Sequence, residues 1–269
     1  MSHLLRAHAP ITEDGWQDID DEARARVTPG LAARRTVDFR GPHGWERSAV
    51  SLGRVGDRDS ENGVEIATRL VQPLAEFRAL FSVDVSELRA LDRGAEDVDY
   101  DDLDRAARSI VVAENATVFH GNAAAGITGI TEATPHDPLS HDGRPETLPS
   151  LVASGVDDLM RAGVQGPFAL VLSADAWILV SGASEHGFPL RPHIAQIIEG
   201  PIVWAPGVSG GVLLSMRGGD FLLDVGQDLA VGYLSHDVEQ VDLYLEESLA
   251  FRVVSPEAAV AIEVALRTV

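Results

Sequence analysis

Hydrophobic residues follow two rhythms along this chain. Trp16, Ile19, Ala23 and Val27 recur at helical spacing, while Asp18, Asp20, Asp21, Arg24 and Arg26 take the opposite face. That pattern predicts an amphipathic helix over 12–27. Thr12 serves as its N-cap, Glu13 and Asp14 fill an acidic first turn, and Thr28-Pro29-Gly30 stops it. A second, stronger helix is predicted over 97–120. There Leu103, Ala107, Ile110, Val111, Glu114 and Val118 keep the helical period behind a crowded acidic start. Shorter helices are predicted over 151–162, stopped by Gly163, and over 174–181.

The second rhythm is strand-like. Residues 34–40 alternate and end at Gly41-Pro42, 73–85 read as a further strand, and 168–173 as a buried one. Extended runs at 49–55 and 64–70 flank the polar stretch 56–63, which predicts a long hairpin with that stretch as its turn. Neither face of the hairpin is apolar enough to build a core, and a lone two-stranded hairpin is marginal in water. The arm is therefore expected to lie against something else, such as another subunit. Residues 131–149 and 184–189 read as loops, and strands follow at 202–204, 212–216, 221–225, 229–233 and 241–254. Helices and strands are interspersed without regular βαβ alternation, which predicts an α+β fold.

Composition narrows the chemistry. The 269 residues carry 42 acids against 21 bases, a formal net charge of −21; every base is arginine, and there is no lysine or cysteine. Disulfides, thiolate nucleophiles, zinc–cysteine and iron–sulfur sites are excluded, as are Schiff-base and Walker-A lysines. A charge this negative argues against binding nucleic acid or anionic lipid. No apolar run reaches the roughly 20 residues of a membrane span, the N-terminus does not read as a signal peptide, and the absence of cysteine fits the cytosol. Lysine-free acidity has two readings, adaptation to salt and genomic codon bias. Near molar salt the Debye length falls to about 3 Å, which screens repulsion between carboxylates.

Candidate reactive groups are few. Gly207-Val208-Ser209-Gly210-Gly211 matches the G-x-S-x-G elbow of serine hydrolases, but the elbow needs a helix after it and 212–216 read as a strand. His136, Asp137, His141 and Asp142 bring imidazoles and carboxylates together, yet Pro138 breaks helical spacing and no metal site is expected. His120 reads as a helix C-terminal imidazole interacting with the dipole. Asn115-Ala116-Thr117 matches a glycosylation pattern but lies mid-helix. Residues 97–104 read as a solvated acidic helix start. No catalytic residue is assigned, and the chain is expected not to be an enzyme.

A set of stretches nevertheless carries a resemblance. Residues 4–20 with Ala9-Pro10-Ile11-Thr12 and Trp16, the stretch 34–46 (Arg34-Arg35-Thr36-Val37-Asp38-Phe39-Arg40-Gly41-Pro42-His43-Gly44-Trp45-Glu46), 166–172, 217–221, 226–233 and 247–254 resemble, in order, those of encapsulin shell proteins of the linocin type. The resemblance implies the tailed-bacteriophage major-capsid fold: a peripheral domain with a spine helix, an axial domain and an extended hairpin arm. Mapped onto this chain, 1–44 hold the N-terminal helix and strand of the peripheral domain, 45–72 the arm, 73–130 the rest of that domain with the spine helix, 131–235 the axial domain and 236–269 the C-terminal part of the peripheral domain.

The function so implied is a self-assembling, cytoplasmic, icosahedral nanocompartment of about sixty copies. It would enclose peroxidase or ferritin-like cargo, with roles in oxidative stress or iron storage, by binding the cargo's C-terminal targeting peptide. The resemblance assigns Val27, Leu31 and Val231 as apolar contacts of that peptide, Arg34 and Asp38 as polar anchors, and Leu229 and Tyr233 as neighbours. It assigns Glu185, His186 and Gly187 to a five-fold pore. Some members stack a flavin on a tryptophan in the segment matching 83–88; Ser86 stands there, so no cofactor is expected. The rival readings are a prophage major capsid protein and, less well supported, a small serine hydrolase at Ser209.

Overall fold

The computed structural model describes residues 3–182, 184–185 and 188–264, with 184, 185 and 188 described by their backbone only. Helix α1 (Glu13–Val27) begins where the sequence places it: Thr12 is the N-cap, and its hydroxyl accepts the Gly15 N–H. Trp16, Ile19, Ala23 and Val27 form its buried face. A short 3-10 turn (Ala33–Arg35) precedes strand β1 (Asp38–Arg40). The arm is the antiparallel pair β2 (Ala49–Glu61) and β3 (Val64–Pro73). Strand β4 (Ala75–Asp84), helix α2 (Val85–Leu91) and the spine helix α3 (Asp101–His120) follow.

The remainder comprises α4 (Ile130–Ala133), β5 (Leu139–His141), α5 (Leu148–Arg161), β6 (Phe168–Leu172), α6 (Ala174–Gly182), β7 (Ser184–Glu185), β8 (Phe188–Pro189) and α7 (Leu190–Ile198). Strands β9 (Ile202–Trp204), β10 (Gly211–Ser215), β11 (Phe221–Val225), β12 (Ala230–His236), β13 (Gln240–Val253) and β14 (Ala259–Val264) complete it.

Two five-stranded sheets organise the chain. In the first, β13 pairs with β11 and then β12 along one edge and with β4 along the other, and β1 adds in parallel to β11. Val241, Leu243 and Leu245 of β13 alternate onto one face, where α1 and α3 cover them in a shared apolar cluster. The second sheet runs β5-β14-β10-β6-β9 and packs with α5, α6 and α7 around fully buried β6 and β10. Strand pairing divides the chain differently from the expected segments. Strands β11 and β12, expected in 131–235, sit in the first sheet, and β14, expected with 236–269, sits in the second.

Three local departures from the sequence expectation have physical causes. The turn of the arm is tighter than 56–63: Asn62 (φ 52°) and Gly63 (φ 78°) form the left-handed pair, as a two-residue Asn-Gly hairpin turn requires. Residues through Glu61 therefore stay in β2. The spine helix starts at Asp101 because Asp99 Oδ1 accepts the Asp101 N–H at 2.9 Å, an Asx-type turn that competes with helix. Residues 34–37 are not strand. Ala32 and Ala33 are fully buried, and the side chains of Asn115 and Thr36 bond their backbone, bending the chain inward.

Along the arm β2 and β3 are almost wholly exposed, with Val55, Val64 and Ile66 each more than half accessible. An apolar surface of this kind on an unsupported hairpin is suited to cover by a neighbour. Among the described residues no helix is long and apolar enough to cross a membrane.

Candidate functional site

A cleft of about 280 Å³ opens between α1, the segment after it and β12. Its apolar floor is Val27, Leu31, Leu229, Val231 and Leu245; Asp20, Arg24, Thr28, Arg34 and Asp228 form the polar rim. Each wall has a local cause. Val27 ends the buried stripe of α1. The 3-10 turn Thr28–Gly30 then carries Leu31 across to the spine helix, where Asn115 holds it. Asn115 is fully buried; its Oδ1 accepts the Ala32 and Ala33 N–H groups at 3.1 Å, and its Nδ2 donates to Gly30 O (2.8 Å) and Pro206 O (3.0 Å). The matched glycosylation pattern is therefore a structural hub with no exposed amide.

Arg34 enters the wall of the cleft as the centre of a charge cluster. Its Nε donates to Glu114 on α3 (2.8 Å), Nη1 to Asp228 (2.6 Å) and Nη2 to Glu247 on β13 (2.7 Å). Glu114 and Glu247 are fully buried, while Asp228 stays partly accessible. Burial acts to lower the Arg34 pKa, but Glu114, Glu247 and Asp228 outweigh it and hold the value above that of free arginine. Burial, then the Glu114 carboxyl, holds the Glu247 pKa well above the usual glutamate range, against the pull of Arg34. One N–H from each Arg34 nitrogen is thus engaged within the fold.

The opposite end of the cleft is set by Arg6. Its guanidinium grips both oxygens of Asp20 (2.8 and 2.7 Å), donates to Val231 O (2.8 Å) and lies 4.6 Å above the Trp16 ring. Tyr233 N–H donates to Leu4 O (2.9 Å), so the N-terminal segment covers this stretch of the β12 edge.

The structure thus brings Val27, Leu31, Arg34, Leu229 and Val231 together in one cleft. It does not place Asp38 or Tyr233 on its lining. Asp38 accepts the Gly219 N–H and lines a separate recess with Met216 and Phe221. The reason is topological: β1 pairs with β11, which carries Asp38 beside the turn that precedes β11. Tyr233 packs against the apolar cluster beneath the cleft, and its hydroxyl meets His236 Nδ1 at 2.6 Å. His186, Gly187 and the Glu185 side chain lie outside the described residues.

Sequence reasoning missed Glu114, Glu247, Asp228, Arg6 and Asp20. Two of them left a signal. Glu114 falls inside the apolar stripe of the spine helix, and Glu247 continues the inward-facing positions of Val241, Leu243 and Leu245. An acid on a core face needs a buried partner.

The other candidates resolve into structural contacts. His120 Nδ1 lies 3.0 Å from Thr131 Oγ1, whose hydroxyl donates to Phe119 O, and Nε2 accepts the Ser209 backbone N–H at 3.0 Å. Ser209 Oγ lies 3.3 Å from the same Nε2, but the shorter contact to that nitrogen is the backbone N–H, and Ser209 leads into strand β10, not a helix. His136 and His141 bond main-chain oxygens of Glu257 and Arg144. Asp142 pairs with Arg144. Among the described residues no group of three or more such side chains could hold a metal.

Comparison with known proteins gives this arrangement its context. Residues 1–250 match the family model described as encapsulating protein for peroxidase, Linocin_M18. The chain belongs to the encapsulin shell-protein family. It is 44% identical over 268 residues to a type 1 encapsulin shell protein of Rhodospirillum rubrum, covering 97% of this chain and 96% of that one. It is 39% identical over 263 residues to the type 1 encapsulin shell protein of Mycobacterium tuberculosis, covering 97% and 99%. In fold it is similar to the virus-like particle of Pyrococcus furiosus (TM-score 0.68, 17% identity, 92% of this chain and 99% of that one). It is also similar to a chain of Microbacterium phage Oxtober96 (TM-score 0.58, 12% identity, 88% and 91%). The encapsulin chain thus carries the capsid fold expected from its sequence, and the strand after Ser209 removes the hydrolase elbow.

Proposed function

We propose that this encapsulin assembles into an icosahedral shell of about sixty copies and that the cleft between α1 and β12 docks the C-terminal tail of a cargo enzyme, of which a peroxidase is the class named by the family description. The observation that carries this reading is the cleft itself. It is an apolar floor of Val27, Leu31, Leu229, Val231 and Leu245 ringed by charge, of about 280 Å³, which suits a few aliphatic side chains of an extended segment. A disordered tail needs apolar sockets of this kind to offset its ordering cost. The exposed arm supports assembly, because its accessible apolar residues, Val55, Val64 and Ile66, are suited to cover by another subunit.

The test is co-expression with a fluorescent protein fused to the C-terminal tail of a peroxidase enclosed by a shell of this family. Uniform hollow particles that retain fluorescence through purification are expected. Leu229→Asp, at a half-buried floor position, should leave the particles intact and empty. A monomer or small oligomer refutes the shell, and equal loading of wild type and Leu229→Asp refutes the cleft. Particles filled with nucleic acid instead would favour the phage-capsid reading.

A further inference from the structure

The cleft wall rests on two carboxyls that cannot both be ionised cheaply. Glu114 comes from α3 and Glu247 from β13, and both side chains are fully buried. Both reach the same cation, Arg34, through their Oε2 atoms. Each keeps a buried Oε1 with no partner, and neighbouring nitrogens of one guanidinium, Nε and Nη2, hold the two carboxyls side by side. Two carboxylates offer only acceptors to one another. A proton on one of them supplies the missing donor and turns a repulsive pair into a hydrogen-bonded one.

Among the described residues the charged groups bonded to the pair are Arg34 after α1 and, through it, Asp228 before β12; Glu247 also lines a separate pocket with His3, Glu46, Arg47, Glu76, Arg78 and Glu246. With one shared proton the pair carries one negative charge, and Asp228 carries a second, against the single positive charge of Arg34. Removing the proton would put a further charge onto two fully buried side chains, which is costly unless the surroundings rearrange.

We propose that Glu247 holds a proton beneath the cleft, shared by hydrogen bonding with the Glu114 carboxyl beside it, and that its loss on raising pH draws Arg34 inward, away from the cleft wall, and weakens tail docking. The last step rests on the cleft being the docking site; the shared proton does not. The sign is fixed by linkage. A carboxyl held protonated in the fold binds a proton that the unfolded chain releases at the ordinary glutamate pKa, so its contribution to stability falls as pH rises through this interval. Arg34 responds first, because among the described residues it is the cation in contact with both carboxyls; the added negative charge draws its guanidinium inward, away from Asp228 on the open rim.

Assembled full-length shells test this in two arms. Infrared titration of the wild type should show a protonated-carboxyl band at about pH 7, where ordinary glutamates are ionised, and Glu247→Gln should lack it. Capture of a dye-labelled peptide of that cargo tail by the wild type should fall about fivefold or more between about pH 7 and about pH 9, the low end of typical coupling. The Glu247→Gln profile should be flat. Absence of the band at neutral pH in the wild type overturns the shared proton. A band with parallel capture profiles for wild type and Glu247→Gln overturns its link to docking. Leu229→Asp separates the two readings. If that variant captures the tail as well as the wild type, the docking reading fails, while the infrared arm still decides the proton.

Discussion

Asn115→Ala is expected to be among the most damaging single substitutions in the first sheet's core, through hydrogen bonds rather than volume. Four bonds disappear, yet they do not count equally. Ala32 N–H also donates to Gly30 O at 2.8 Å, so those two groups keep each other. Ala33 N–H and Pro206 O keep no partner among the described residues. The orphaned, fully buried Ala33 N–H costs about 1–3 kcal/mol, and Pro206 O, which is only half-buried, adds less than that. That is a large part of the roughly 5–15 kcal/mol that holds a domain folded. Urea unfolding of dissociated subunits, followed by far-ultraviolet circular dichroism at fixed ionic strength, measures the loss. Asn115→Asp is the control for geometry. It keeps the acceptor for Ala32 and Ala33 but aims a second oxygen at Gly30 O and Pro206 O, and it should be no less harmful. A loss below about 1 kcal/mol for Asn115→Ala, an ordinary surface-to-average value, would show that the turn carrying Leu31 and Arg34 is held by something other than this amide.

Two further outcomes are expected. Burial lowers the His120 pKa below the ordinary histidine value of about 6.5, so the neutral ring's contribution is complete above that pH and is lost as pH falls toward the folded value; the ring then gives up the Ser209 N–H. Thermal stability should therefore fall from about pH 7 to about pH 5, and His120→Gln should flatten that limb; equal acid slopes would refute the role. The net charge of −21 per chain should make assembly favour salt, because the Debye length shrinks from about 10 Å at 0.1 M to about 3 Å at 1 M. Light scattering that shows the same assembly yield at both concentrations would refute this.

Sequence periodicity determined the elements and their faces. The helical stripes of α1 and the spine helix, the alternation of the late strands and the unsupported arm follow from local spacing, because burial of one face imposes a period of 3.6 or 2. The apolar part of the cleft was legible for the same reason: Val27 ends a stripe, and Leu229 and Val231 alternate at the head of a strand. Polar partnerships were not legible. Arg34 meets Glu114 across 80 residues and Glu247 across 213. Asp38, so close to Arg34 in the chain, goes instead to the Gly219 turn. Hydrophobic spacing fixes which way a side chain faces, but a buried charge takes whichever opposite charge the packing of helix on sheet brings within reach. Only the tertiary structure decided that Arg34 holds together two buried acids beneath the cleft.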